Sequence, residues 1–70
     1  MNRELVSSSN LRSVGYSADE RVLEIEFHSG GIYQYFGVPQ AHHVGLMRAG
    51  SKGHYFDSHI KHTYRWRQIR

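Results

Sequence analysis

The sequence predicts an α+β domain: a three-stranded antiparallel meander, followed by two short helices packed on one sheet face, with a short C-terminal strand or extended edge segment at the end. Three observations carry that reading. Leu23, Ile25 and Phe27 alternate with Glu24, Glu26 and His28, so an extended segment has one apolar and one charged face. The turn residues Ser29, Gly30 and Gly31 separate it from a second alternating run, "IYQYFGV". After Pro39 the apolar spacing widens to three and four, the period of a helix.

The elements follow in order. "RELVSSSN" is polar and Ser-rich, so residues 1–9 are expected to be a flexible lead-in and residues 10–70 a single domain. A first strand runs from Leu11 to Tyr16, and "SADE" turns the chain into "RVLEIEFH". Such a two-sided pattern fits an antiparallel sheet with one face in water. A three-residue loop at Ser29–Gly31 would oppose Phe27 to Tyr33 and Ile25 to Tyr35, and would turn Gln34 to solvent beside the glutamates. A two-residue loop would bury Gln34 instead, and a buried amide needs partners that a thin core rarely supplies.

Val38 before Pro39 is held extended, and Pro39 sits where a first helical residue would. The helix that follows places Ala41, Val44 and Met47 on one face, with Leu46 flanking, Gly45 weakening it and Gly50 as the stop. Ser51 caps a second helix in which Phe56 and Ile60 lie four apart. "TYRWRQI" then alternates again, with Tyr64, Trp66 and Gln68 on one side and Arg65, Arg67 and Ile69 on the other.

Seventy residues make one domain with a thin core, and no cysteine is present to brace it. The nine aromatic residues are the main apolar resource. No apolar run approaches the length needed to span a bilayer, and "MNRELVSSSN" lacks the apolar stretch of a signal peptide, so a soluble cytoplasmic protein is expected.

The formal charge of +3 is unevenly placed. Residues 1–51 carry a net −1, whereas residues 52–70 carry Lys52, Lys61, Arg65, Arg67 and Arg70 against Asp57, a net +4. Such a segment favours anionic partners, or it is a solvated tail that keeps the protein soluble.

In their order along the chain, "SSNLRSVGY", "LEIEFHSGGIYQYFGVP" and "SKGHYFDSHIKHTY" resemble the KTSC domain family. The family's Tyr-x-Tyr pair is matched by Tyr33 and Tyr35, and its Ser-x-Gly-x-Tyr-Phe run by Ser51, Gly53, Tyr55 and Phe56. Pro39, Ile60 and Tyr64 match as well, and the resemblance covers about residues 8–66. It implies a module found at the C-terminus of some lysyl-tRNA synthetases and as free-standing bacterial proteins. It suggests RNA binding, with tRNA as one target.

Each candidate feature has a structural alternative. Tyr33 and Tyr35 are either a stacking platform for unpaired bases or core aromatics; the register favours the core. "SKGHYF" lacks the glycine spacing of a phosphate loop, leaving a Ser-capped helix start with Lys52 beside it. Six histidines are present, but His59 and His62 share a helix face with neither a cysteine nor a third ligand, so no metal or cofactor is expected. No nucleophile–base pair or converging carboxylate pair stands out, so an enzyme is not expected.

The preferred reading is a small RNA-binding module in which Lys52, Lys61, Arg65 and Arg67 hold phosphates while Tyr64 or Trp66 stacks on bases. The alternative is a protein-interaction adaptor using the same Arg and aromatic surface. A monomer or weak dimer is expected.

Overall fold

Alternation in the middle of the chain produces the centre of the sheet. In the computed structural model, which describes residues 1–70, β3 (Val22–Phe27) is flanked by β2 (Leu11–Ser17) and β4 (Ile32–Phe36), all antiparallel. Two short strands extend this meander at its edges, β1 (Glu4–Leu5) beside β2 and β5 (Trp66–Gln68) beside β4, giving five strands in sequence order. Helices α1 (Gln40–Arg48) and α2 (Lys52–His59) lie between β4 and β5 in the chain and cover one sheet face.

The N-terminal segment differs from the flexible lead-in expected of residues 1–9. Glu4 and Leu5 pair with Val14 and Ser13, and the Val6 N–H donates to the Arg12 carbonyl at 3.1 Å. Polarity there is used locally: the Ser8 hydroxyl accepts from the N–H groups of Asn10 and Leu11, both at 3.2 Å, and turns the chain into β2.

The β3–β4 hairpin keeps the expected faces but in a different register. Ile25 opposes Tyr33 and Leu23 opposes Tyr35, two residues from the expected pairing. The loop is His28-Ser29-Gly30, because the Phe27 N–H donates to the Gly31 carbonyl at 2.9 Å, and Gly30 takes φ 106°, a conformation open to glycine. A shift of two preserves the face parity, so Gln34 stands beside Glu24 as expected.

Leu11, Val14, Leu23, Ile25 and Tyr35 from the sheet meet Leu46 and Phe56 from the helices and Ile60 at the C-cap of α2, and Val38 joins the same cluster. Tyr35, Phe56, Phe27 and Tyr33 then form a run of edge-on contacts with ring centroids 5.3–5.6 Å apart, within the favourable range for aromatic pairs. Tyr35 is 4% exposed and Tyr33 half-buried, so the pair serves the core. Burial, with the neighbouring Tyr33, pushes the Tyr35 phenol up to about 12.

The first helix buries a different face from the one its aliphatic residues mark. Pro39 is its N-cap rather than its first residue, and it ends at Arg48 with Ala49 as C-cap. Leu46 is fully buried, while Ala41 and Val44 face outward. The turn above Leu46 is packed by histidines: His43 stacks on Tyr16 at 4.7 Å, and His42 Nδ1 lies 3.2 Å from the Tyr55 hydroxyl. Burial draws the His43 pKa below its ordinary value, against the pull of Glu4. Gly45 is the contact point between the helices, since a Cβ there would lie 2.2 Å from the Tyr55 hydroxyl. Helix α2 starts as the sequence indicates: the Ser51 hydroxyl accepts from the His54 N–H at 3.3 Å.

Candidate nucleic-acid interface

The end of α2 sets the course of the basic segment. Ile60 is buried, the N–H groups of Ile60 and Lys61 both donate to the Phe56 carbonyl, and the chain reverses through residues 61–64 into β5. Trp66 opposes Tyr35, Arg67 opposes Gln34 and Gln68 opposes Tyr33. Period-two geometry therefore puts Trp66 on the helix-bearing face, where its ring lies 5.5 Å from that of Tyr33, and Arg65 and Arg67 on the opposite face. Since β5 pairs with β4 alone, its other edge is open.

Whether those cations are available depends on where the acids go. Glu24 and Glu26 were expected on the solvated side of β3, yet Glu24 is 5% exposed. It accepts from Arg3, which crosses from the N-terminal segment, and from the Gln34 side-chain amide at 2.9 Å. Burial alone would raise its pKa; the hydrogen bonds from Gln34 and Arg3 and the charge of Arg3 together hold it below the usual carboxylate value. Glu26 is taken by Ser13 at 2.8 Å, Arg70 at 3.3 Å and Arg12 at 3.6 Å. A bulge between Leu11 and Ser13 brings Arg12 into reach of the same carboxylate as Ser13.

The outcome divides the basic residues. Arg3, Arg12 and Arg70 are in ion pairs, whereas Lys52, Lys61, Arg65 and Arg67 are in none. Arg67 is nonetheless positioned. With its NH₂ given to Glu24, Gln34 turns its carbonyl oxygen to Arg67 Nη2 at 3.1 Å, and the guanidinium lies 5.9 Å from the Phe36 ring centroid.

Tyr64, Arg65, Trp66 and Arg67 line one open depression of about 770 Å³, with Phe36 and His62 beside them. A second groove of about 560 Å³ lies on the other side of Trp66, between α2 and the end of the sheet, and Lys61 borders it. Lys52 lines neither; its Nζ donates to the Ala49 carbonyl at 3.2 Å and closes the link between the helices. The structure thus gathers Arg65, Arg67, Tyr64 and Trp66, sets Lys61 next to them and holds Lys52 apart. The histidines do not form a ligand set: His59 packs on Tyr55 at 4.4 Å, and nowhere are three or more His, Asp or Glu side chains grouped to hold a metal ion.

Gln34 and Phe36, which seat Arg67, were not among the expected site residues. The pairing of β5 with β4 identifies them, and that pairing joins residues more than thirty apart in the chain.

The comparisons with known proteins agree with this architecture. The family model of the KTSC domain matches residues 7–64. The crystal structure of a KTSC domain protein from Yersinia pestis superposes with a TM-score of 0.96 at 48% identity, covering 99% of this chain and 97% of that one. An uncharacterized protein of Stutzerimonas stutzeri is 41% identical over 69 residues, which is 96% of this chain and 97% of that protein. The lysine–tRNA ligase of Nostoc punctiforme is 36% identical over 61 residues, covering 87% of this chain but 11% of the ligase, so the likeness is to one small part of that enzyme. With its five-stranded sheet, two helices and Tyr-x-Tyr pair in the matched region, the chain belongs to the KTSC domain family.

Proposed function

We propose that this protein is a non-catalytic RNA-binding module whose contact surface is the β5 edge. The observation that carries the reading is the allocation of charge: Glu24 and Glu26 are engaged by other groups, which leaves Arg65 and Arg67 free of carboxylates on the wall of one open depression. Exposed cations with no carboxylate partner attract a polyanion, and Tyr64 and Trp66 beside them supply ring faces that any base accepts. The kinship with a segment of lysine–tRNA ligases supports RNA as the polyanion, with tRNA as one candidate.

The test is binding of a labelled single-stranded RNA, followed by anisotropy at several salt concentrations. Each phosphate contact contributes about 0.7 to the slope of log K against log salt on a single strand. Arg65→Ala combined with Arg67→Ala should flatten that slope by about 1.4 and weaken binding. An unchanged affinity and slope would remove both residues from the interface.

The unpaired edge of β5 gives some support to a protein-interaction adaptor, because a partner strand could extend the sheet there. A stoichiometric protein partner that survives nuclease and moderate salt in a pull-down would favour that reading.

A further inference from the structure

The groove on the helix-bearing side of Trp66 is not accounted for by phosphate binding. Its walls are Phe27, Tyr33 and Phe56 together with Trp66, and its rim carries Asp57 and Lys61. At about 560 Å³ it falls within the size range of small-molecule sites, and its lining joins five aromatic residues to five polar ones. Phe27 and Phe56 are locked edge-on at 5.5 Å and belong to the core or pack against it, while Tyr33 touches both Phe27 and Trp66.

Trp66 itself is 57% exposed, so a large flat ring stands in water above a preformed aromatic wall. Asp57 is in no ion pair, which leaves its carboxylate to accept from a ligand. The groove is also continuous with the cationic depression: Trp66 and His62 line both.

We infer that this groove receives one unpaired base of a single-stranded nucleic acid, stacked on Trp66, while the flanking phosphates lie on Arg65, Arg67 and Lys61. The inference rests on the RNA-binding reading and adds to it the chemical part of the ligand that enters the fold. A base is flat and presents polar edges, so it suits a slot with aromatic walls and an acceptor at the mouth. Its own backbone would carry the negative charge past Trp66 to the arginines on the far side.

Trp66 is the single tryptophan of the chain, so its emission reports on this groove directly. The experiment titrates the 70-residue chain with a short single-stranded RNA and with an abasic phosphodiester of the same length, at low salt. Stacking predicts quenching of Trp66 by the RNA alone, and binding tighter than that of the abasic chain by about fivefold or more. Trp66→Ala, followed by anisotropy, should reduce both ligands to the same affinity, and Trp66→Phe should restore part of the difference. Equal binding of both ligands without any change in emission would overturn the base pocket and leave the arginine contacts standing. Binding of neither ligand would overturn the RNA-binding reading, and the base pocket with it.

Discussion

Replacing Arg3 by alanine removes the guanidinium that meets Glu24 and the hydrogen bond that its Nε donates to Ser13 at 3.0 Å. The Glu24 side chain is 6% exposed and that of Arg3 25%, so the pair lies at the edge of the interior. Removing one partner of a fully buried pair costs about 3–5 kcal/mol, because the other charge is left without compensation. Two features reduce that here. Gln34 still donates to the carboxylate at 2.9 Å, and water reaches the place that Arg3 vacates. We expect a loss of about 2 kcal/mol, a substantial share of the roughly 4–10 kcal/mol available to a chain of this size.

The sign of the pH dependence follows from the lowered pKa of Glu24. The native state holds this carboxyl below its ordinary 4.5, so the pair's stabilisation is fully present above that pH and drains away as the pH falls through the native value. Urea denaturation at about pH 7 should therefore separate wild type from Arg3→Ala by about 2 kcal/mol, and the gap should close in strong acid. Adding Glu24→Gln to the Arg3 variant should recover much of the loss, since no buried charge is then stranded. A loss below about 0.5 kcal/mol at neutral pH would show that Arg3 and Glu24 behave as an ordinary surface pair, and a loss that is the same at both pH values would show that the charge of Glu24 is not its cause.

The other predictions concern Gly45 at the contact between the helices and Tyr35 on the inner face of the sheet. Gly45→Ala should destabilise the fold by about 1 kcal/mol in urea denaturation, although alanine is the better helix former. The added Cβ would drive the Tyr55 ring off its seat, and a typical overpacking cost of about 1–3 kcal/mol exceeds the gain in propensity of about 1 kcal/mol. Tyr35 should titrate near 12 rather than 10 when tyrosinate absorbance is followed against pH. Its pKa is raised on folding, so its contribution is complete below pH 10 and is lost as the pH climbs toward 12. Tyr35→Phe should abolish that alkaline loss.

Most of the sheet is legible in the sequence because its rule is local: Leu23, Ile25 and Phe27 declare a strand and its inner face within six residues. Face parity survived even where register did not, since the Gly30 turn moved the β3–β4 pairing by two rather than one. Helix α1 was harder. Its buried side is padded by His42 and His43, which hydropathy assigns to water, and the aromatic partners Tyr55 and Tyr16 that make those positions favourable lie in other elements. The N-terminal strand gave no signal at all. Arg3 sits in a polar, Ser-rich stretch, and what orders it is a carboxylate twenty-one residues away. Of the candidate site, the alternation of Arg65 and Arg67 against Trp66 was visible, but the removal of Glu24 and Glu26 from competition was not. Lys52 looked like part of the patch by charge, and the fold put it to use between the helices.

RNA binding by this protein is proposed to take place at the end of the chain. The most direct measurement is a titration of isotopically labelled protein with short single-stranded RNA and mixed tRNA, followed by NMR at two salt concentrations. It should move the resonances of Lys61, Tyr64, Arg65, Trp66 and Arg67, leave those of the Arg3–Glu24 side nearly still, and weaken steeply with salt. If residues 51–70 stay unmoved while RNA is in excess, the β5 edge is not a nucleic-acid interface.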